Sequence, residues 1–79
     1  MELSIPFARS VINEAMSNNL IETRDIIAVR EACRDDVYAA QLARFCSLTE
    51  RRLREIIDEG ITSVQDAHAR QLNRRLRSH

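Results

Sequence analysis

The sequence contains one glycine, one proline and no lysine or tryptophan, and these scarcities exclude whole classes of protein. An all-β domain needs turn residues at short, regular intervals, and a single Gly and a single Pro cannot supply them. With only three aromatic residues in the chain, the core must consist of aliphatic side chains. No apolar run approaches the roughly 18 residues of a membrane span, and the N-terminal residues lack the pattern of a signal peptide. We therefore expect a small all-α domain with no membrane contact.

Length and charge narrow the choice further. A chain of 79 residues supplies one hydrophobic core, which excludes a multidomain enzyme. The net charge is zero, but residues 1–43 carry four Arg and seven acidic residues, whereas residues 44–79 carry eight Arg and five acidic residues. The second half is therefore basic. The exclusive use of Arg reflects either the codon bias of a GC-rich genome or the suitability of its planar guanidinium for phosphates and guanine, and both explanations can hold together.

The residues that carry metal and catalytic chemistry are few. A zinc site needs four ligands at short spacings such as C-x2-C, and Cys33 and Cys46 form no such pattern with His68 or His79. Both cysteines lie at inward positions of predicted helices, where we expect free thiols packed as small hydrophobic groups in a reducing cytoplasm. The sequence has no Ser/His/Asp or Cys/His arrangement, no glycine-rich phosphate loop and no H-E-x-x-H. We predict no metal, no cofactor and no enzymatic activity.

Apolar spacing predicts five helices in one domain that spans residues 1–79. The expected helices cover about 6–18, 23–34, 37–46, 50–59 and 64–76. Their predicted N-terminal caps are Ser4, Thr23, Asp35 or Asp36, Thr49 and Ser63. Gly60 is the expected left-handed residue that ends the fourth helix. The last helix is expected to turn Val64, Ala67, Leu72 and Leu76 inward.

Residues 42–60 carry a family resemblance. They read Leu-Ala-Arg-Phe-Cys-Ser-Leu-Thr-Glu-Arg-Arg-Leu-Arg-Glu-Ile-Ile-Asp-Glu-Gly. This segment resembles the helix-turn-helix of AraC-type DNA-binding domains, whose pattern begins L-A-x-x-x-G-L-S-x-x-x-L. The matching positions are Leu42, Ala43, Leu48, Thr49 (in place of Ser), Leu53, Ile57 and Gly60. The chain departs from the family in having Ser47 at the turn glycine, one motif instead of two, and no counterpart for its first twenty residues.

The resemblance implies a helix-turn-helix over about 37–60, whose second helix (the reader helix, residues 50–59) enters the major groove of double-stranded DNA. It places four residues at the bases, namely Glu50, Arg51, Arg54 and Glu55. It places three at phosphates, namely Arg44, Thr49 and Arg52. The basic last helix either adds phosphate contacts or serves as a solubilising tail through Arg70, Arg74, Arg75 and Arg77. The alternative for the reader helix is a solvated surface with the ion pairs Arg51–Glu55 and Arg54–Asp58.

The extra N-terminal helix, about 6–18, has two interpretations. A single helix-turn-helix reads only a few base pairs, so specific binding requires a dimer. The apolar residues Phe7, Val11, Ile12 and Met16 provide the candidate surface for a homodimer, extended by Ile5, Leu20 and Ile21; alternatively, they complete the core. The sequence thus predicts a cytoplasmic transcriptional regulator of a prokaryote or phage. The rival, which rests on the zero net charge, is a helical protein–protein module, an antiactivator or inhibitor that binds a larger regulatory protein and not DNA.

Overall fold

The computed structural model describes residues 3–17, 19 and 21–77, with side chains up to Leu72. These residues form four helices and no strand: α1 (Ile5–Met16), α2 (Thr23–Ala32), α3 (Asp36–Phe45) and α4 (Glu50–Arg77). The all-α prediction is confirmed. The prediction of five helices is wrong, because the fourth and fifth predicted helices are one continuous helix, α4. Asn18 and Leu20, near the end of the first predicted helix, lie outside the described residues.

Three of the four helices begin at a residue whose side chain caps the first helical turn. The side-chain oxygens of Ser4, Asp35 and Thr49 accept hydrogen bonds from backbone N–H groups of the first turn, at 3.4, 2.9 and 3.1 Å. Each bond satisfies a donor that has no partner inside its helix. These three predicted caps are confirmed. Thr23 is not a cap: it is the first helical residue of α2, and Glu22 holds the cap position with no side-chain hydrogen bond.

All four helices contribute to one aliphatic core. Its twelve buried residues are Ala8, Val11, Ile12, Ile26, Val29, Cys33, Ala39, Leu42, Ala43, Leu53, Ile56 and Ile57. None is aromatic, as the composition required. Full burial of a Leu or Ile side chain stabilises a fold by about 1.5–3 kcal/mol, so these positions hold the helices together.

Helix α1 completes this core and packs against the other three helices. Val11 and Ile12, two of the four residues of the predicted dimer surface, are 3% and 0% exposed. That part of the prediction is wrong, because these side chains are buried in the core and are not available to a second copy. Phe7 and Met16 remain exposed, at 41% and 43%.

Gly60 lies inside α4 and does not end it. No described glycine has a positive φ, so the left-handed helix end predicted at Gly60 is wrong. A Cβ at this position would lie 3.3 Å from Cδ1 and 3.4 Å from Cγ1 of Ile26, which is fully buried on α2. The missing side chain lets α2 approach α4, and that packing outweighs the roughly 1 kcal/mol that Gly costs in a helix. Ser63 is consequently an exposed residue of the helix interior and not a cap.

Beyond Val64, α4 extends past the other helices. We call residues 65–77 the arm and residues 3–64 the body. Ala67 and Leu72, predicted to face inward, are exposed, Leu72 at 47%, and the side chain of Leu76 lies outside the described residues. The prediction fails because α1, α2 and α3 span only 10 to 12 residues and α4 spans 28, so they cover only its first half. The molecule is elongated, at 49 × 25 × 18 Å.

Candidate nucleic-acid interface

The connection between α3 and α4 is a tight turn built around Ser47. Ser47 has φ 58°, the left-handed conformation that normally selects glycine. Its N–H donates to the carbonyl of Arg44 at 3.1 Å, and the N–H of Leu48 donates to the carbonyl of Ala43 at 2.8 Å. These two bonds form a Schellman motif that closes α3. Ser47 therefore adopts the strained turn conformation expected where the resembled pattern has its glycine.

Apolar residues on both sides of the turn pack α3 against α4. Leu42 and Leu53 are fully buried, Ala43 and Ile57 are 2% exposed, and Leu48 is half-buried just after the turn. The small side chain of Ala43 leaves room for α4 to approach α3. Thr49 then caps α4, so the first two helical turns of α4 directly follow the connection from α3.

The outer surface of these two turns carries ion pairs. Arg51 is 90% exposed and its Nε lies 3.5 Å from Oε1 of Glu55, the pair expected for a solvated face. Arg52 Nη1 lies 3.2 Å from Glu55 and 3.5 Å from Glu59. Glu50 is exposed beside them. Exposed pairs of this kind contribute only about 0–1 kcal/mol, so they do not prevent Arg51 from exchanging Glu55 for another acceptor.

Arg54 is held within the chain. Its Nη1 donates to the carbonyl of Cys33 at 3.1 Å, and its Nη2 donates to Oδ1 of Asp36 at 3.2 Å. This arrangement replaces the predicted pair of Arg54 with Asp58. It also ties the reader helix to the connection between α2 and α3, so a base contact by Arg54 requires both bonds to break. Sequence reasoning missed this role, since both partners lie 18 or more residues away.

The remaining predicted contact residues fall into two groups. Arg44 is exposed on α3 and borders a shallow surface cup of about 340 Å³, and Arg70 is exposed on the arm. The side chains of Arg74, Arg75 and Arg77 lie outside the described residues. The arm is a direct continuation of the reader helix within α4, whereas the sequence predicted two separate helices.

Charge is divided between the two parts of the chain. Residues 1–60 contain eight Arg and eleven acidic residues, whereas residues 61–79 contain four Arg and one acidic residue. Within the reader helix itself, residues 50–59, three Arg face four acidic residues. The excess of positive charge therefore lies in the last nineteen residues of the chain.

Cys33 is buried in the core, and Cys46 and Tyr38 are partly buried against it. Burial raises the pKa of Cys33, an effect partly offset by the nearby guanidinium of Arg54, and burial raises the pKa of Cys46 against the opposing effect of Arg9. Both cysteines are free, and as protonated thiols at neutral pH they are weak nucleophiles. Burial also raises the pKa of Tyr38, whose hydroxyl has no hydrogen-bond partner among the described residues.

Among the described side chains, no group of three or more His, Cys, Asp or Glu could hold a metal ion. None of the described helices is both long enough and apolar enough to cross a membrane. The described residues thus bring together a capped, exposed helix start of mixed charge and, further along the same helix, a basic arm. Comparison of the chain with protein-family models, with curated proteins and with solved structures finds no match.

Proposed function

We propose that this chain is a cytoplasmic DNA-binding transcriptional regulator, encoded by a prokaryote or a phage, in which α3 and α4 form a helix-turn-helix. The observation that carries the proposal is the left-handed Ser47 at the position of the pattern's turn glycine, followed directly by the Thr49 cap. A turn of this kind between two packed helices leaves the start of the second helix free to enter a major groove.

The reader residues of this proposal are Glu50, Arg51 and Glu55. Arg51 can donate two hydrogen bonds to a guanine, and either glutamate can accept from the amino group of a cytosine. Arg54 acts as a positioning residue, because its bonds to Cys33 and Asp36 fix the rotation of the reader helix. The three residues assigned to phosphates remain Arg44, Thr49 and Arg52.

Most of the affinity in this proposal comes from the arm. The body carries more acidic than basic residues, so it gains little from the phosphate backbone. Each Arg that neutralises a phosphate releases counterions, which favours binding at low salt. We assign this role to Arg70, Arg74, Arg75 and Arg77, and we propose that two copies bind together as a homodimer, since one motif reads only a few base pairs.

The proposal is tested by selecting duplexes from a random library at 50 mM salt and measuring affinity by fluorescence anisotropy. Arg51→Ala should weaken binding to the selected duplex roughly 10- to 100-fold, the loss of one bidentate base contact at about 1–3 kcal/mol. Arg24→Ala is the matched control, because Arg24 is an equally exposed, ion-paired arginine on α2. It should change affinity less than about twofold. Failure to select any duplex, or equal effects of the two substitutions, contradicts the proposal.

A second candidate function is supported by the ion pairs and hydrogen bonds of the reader helix. All three of its arginines are engaged with acidic side chains or a carbonyl, and the helix segment has no excess of positive charge. Such a surface suits a protein–protein module, an antiactivator or inhibitor that binds a larger regulatory protein. The two candidates differ in salt dependence: DNA binding weakens steeply with salt, whereas a mainly apolar protein interface responds little.

A further inference from the structure

One side of α3 is not covered by any other described helix. Val37, Ala40, Gln41 and Arg44 are spaced three or four residues apart and therefore share this side, which we call the α3 face. Val37 is 67% exposed, more than any other large hydrophobic side chain described. These four residues and Asp36 line the shallow cup of about 340 Å³, whose surface is almost entirely apolar.

The two ends of the α3 face carry opposite charges. At the N-terminal end of α3, the carboxylate of Asp36 is 92% exposed although it accepts one bond from Arg54. At the other end, Arg44 is exposed, and the guanidinium of Arg9 lies 5.1 Å above the ring of Phe45, which is 46% exposed. The face therefore consists of an apolar centre with an acidic end and a basic end.

We propose that the α3 face binds a second copy of this chain, with the two α3 helices antiparallel about a two-fold axis near Ala40 and Gln41. This arrangement brings Asp36 of each copy close to Arg44 of the other. A parallel arrangement would instead place like charges together. The small side chain of Ala40 at the crossing lets the helices approach closely, and Val37 of each copy covers the apolar cup of the other. A contact that matches itself in this way is the usual form of a two-fold dimer.

The area of the α3 face determines how strongly the dimer should associate. Two faces of ten-residue helices bury less area than the roughly 1,200 Å² of a standard stable interface. We therefore expect a reversible dimer with a dissociation constant of tens to hundreds of micromolar. Glu50, Arg51 and Glu55 take no part in the contact, whereas Arg44, which the proposed function places at a phosphate, does. The test measures only association of the protein with itself, so its failure is distinguishable from a failure to bind DNA.

Sedimentation equilibrium of the full chain, from 10 μM to 1 mM, is the first test. The wild type should pass from monomer to dimer over this range. Ala40→Glu places two carboxylates against each other at the axis and should raise the dissociation constant at least tenfold. Ala69→Glu is the matched control, the same substitution at an exposed alanine of the arm, and should leave the constant unchanged. A wild type that is monomeric at 1 mM, or equal effects of the two substitutions, overturns the proposal.

A charge exchange tests the antiparallel orientation. Arg44→Asp gives a face with two acidic ends and Asp36→Arg a face with two basic ends, so each variant alone should dimerise at least tenfold more weakly than the wild type. An equimolar mixture should regain association to within about threefold of the wild type, because every acidic end then meets a basic one. Circular dichroism of each variant confirms that it remains helical. Single variants that dimerise as strongly as the wild type overturn the antiparallel pairing, because a parallel pair already places like charges together in the wild type. A mixture that associates no better than its components overturns the charge pairing in either orientation.

Discussion

At Ser47 the backbone adopts a left-handed conformation that is unfavourable for a residue with a side chain. A left-handed φ brings Cβ of an L-residue too close to the following carbonyl, at a cost of roughly 1–2 kcal/mol. Two backbone hydrogen bonds of the Schellman motif, together with the burial of Ala43 before the turn and Leu53 after it, hold the turn in place. The left-handed backbone at this single residue lets the chain turn from α3 into α4.

Ser47→Gly should therefore raise the free energy of unfolding, by about 0.5–1 kcal/mol, because the relief of strain exceeds the extra freedom of glycine in the unfolded chain. Ser10→Gly is the matched control: Ser10 lies exposed inside α1, where glycine should lower stability by about 0.5 kcal/mol. Urea unfolding followed by circular dichroism measures both. If both substitutions destabilise, Ser47 does not adopt the left-handed conformation.

Helix starts could be predicted from the sequence and helix continuity could not. Ser4, Asp35 and Thr49 each act on a backbone N–H two or three residues away, so a short window of sequence contains the whole interaction. Gly60 looks like a helix end in any such window. Its actual role depends on Ile26, which lies 34 positions earlier in the chain and meets it only after α2 has packed.

In the candidate site, too, local interactions could be predicted from the sequence and long-range interactions could not. The burial of Leu42 and Leu53 and the cap by Thr49 follow from local spacing, and the structure agrees with it. The partners of Arg54 depend on how the α2–α3 connection packs beside α4, which no local pattern encodes. For α1, spacing identified an apolar side. It did not say whether that side meets the core or a second chain, and Val11 belongs to the core.

The packing of α2 against α4 predicts which substitutions of Gly60 the fold tolerates. Gly60→Ala should remain within about 1 kcal/mol of the wild type, because a gain in helix propensity opposes a contact of 3.3 Å with Ile26. Gly60→Leu should destabilise by more than about 2 kcal/mol, since a larger side chain separates the two helices. Ala69→Leu on the exposed arm should stay within about 0.5 kcal/mol. Thermal and urea unfolding measure all three, and a Gly60→Leu variant as stable as Ala69→Leu would show that the contact is loose.

At the scale of the whole molecule, folding and the proposed binding use different parts of the chain. Among the residues whose side chains the structure describes, the buried ones lie between Ala8 and Gly60, whereas residues 65–72 of the arm are exposed. The excess of acidic residues lies in the same part of the chain as the core, and the excess of basic residues lies beyond it. The arm can therefore be changed without loss of the fold, which permits binding to be separated from stability.

Deletion of residues 71–79 is the experiment that exploits this separation. Because the arm lies beyond the core, the free energy of unfolding should fall by less than about 1 kcal/mol, through fraying of the shortened helix. The deletion removes Arg74, Arg75 and Arg77. If each neutralises one phosphate, the slope of log affinity against log salt should become shallower by about 2.7, at about 0.9 per phosphate for duplex DNA. A triple substitution of these three arginines by Gln controls for the loss of the helix itself and should give the same change in slope. An unchanged slope in both variants would show that Arg74, Arg75 and Arg77 neutralise no phosphates, and would contradict the proposal that most of the affinity for DNA comes from the arm.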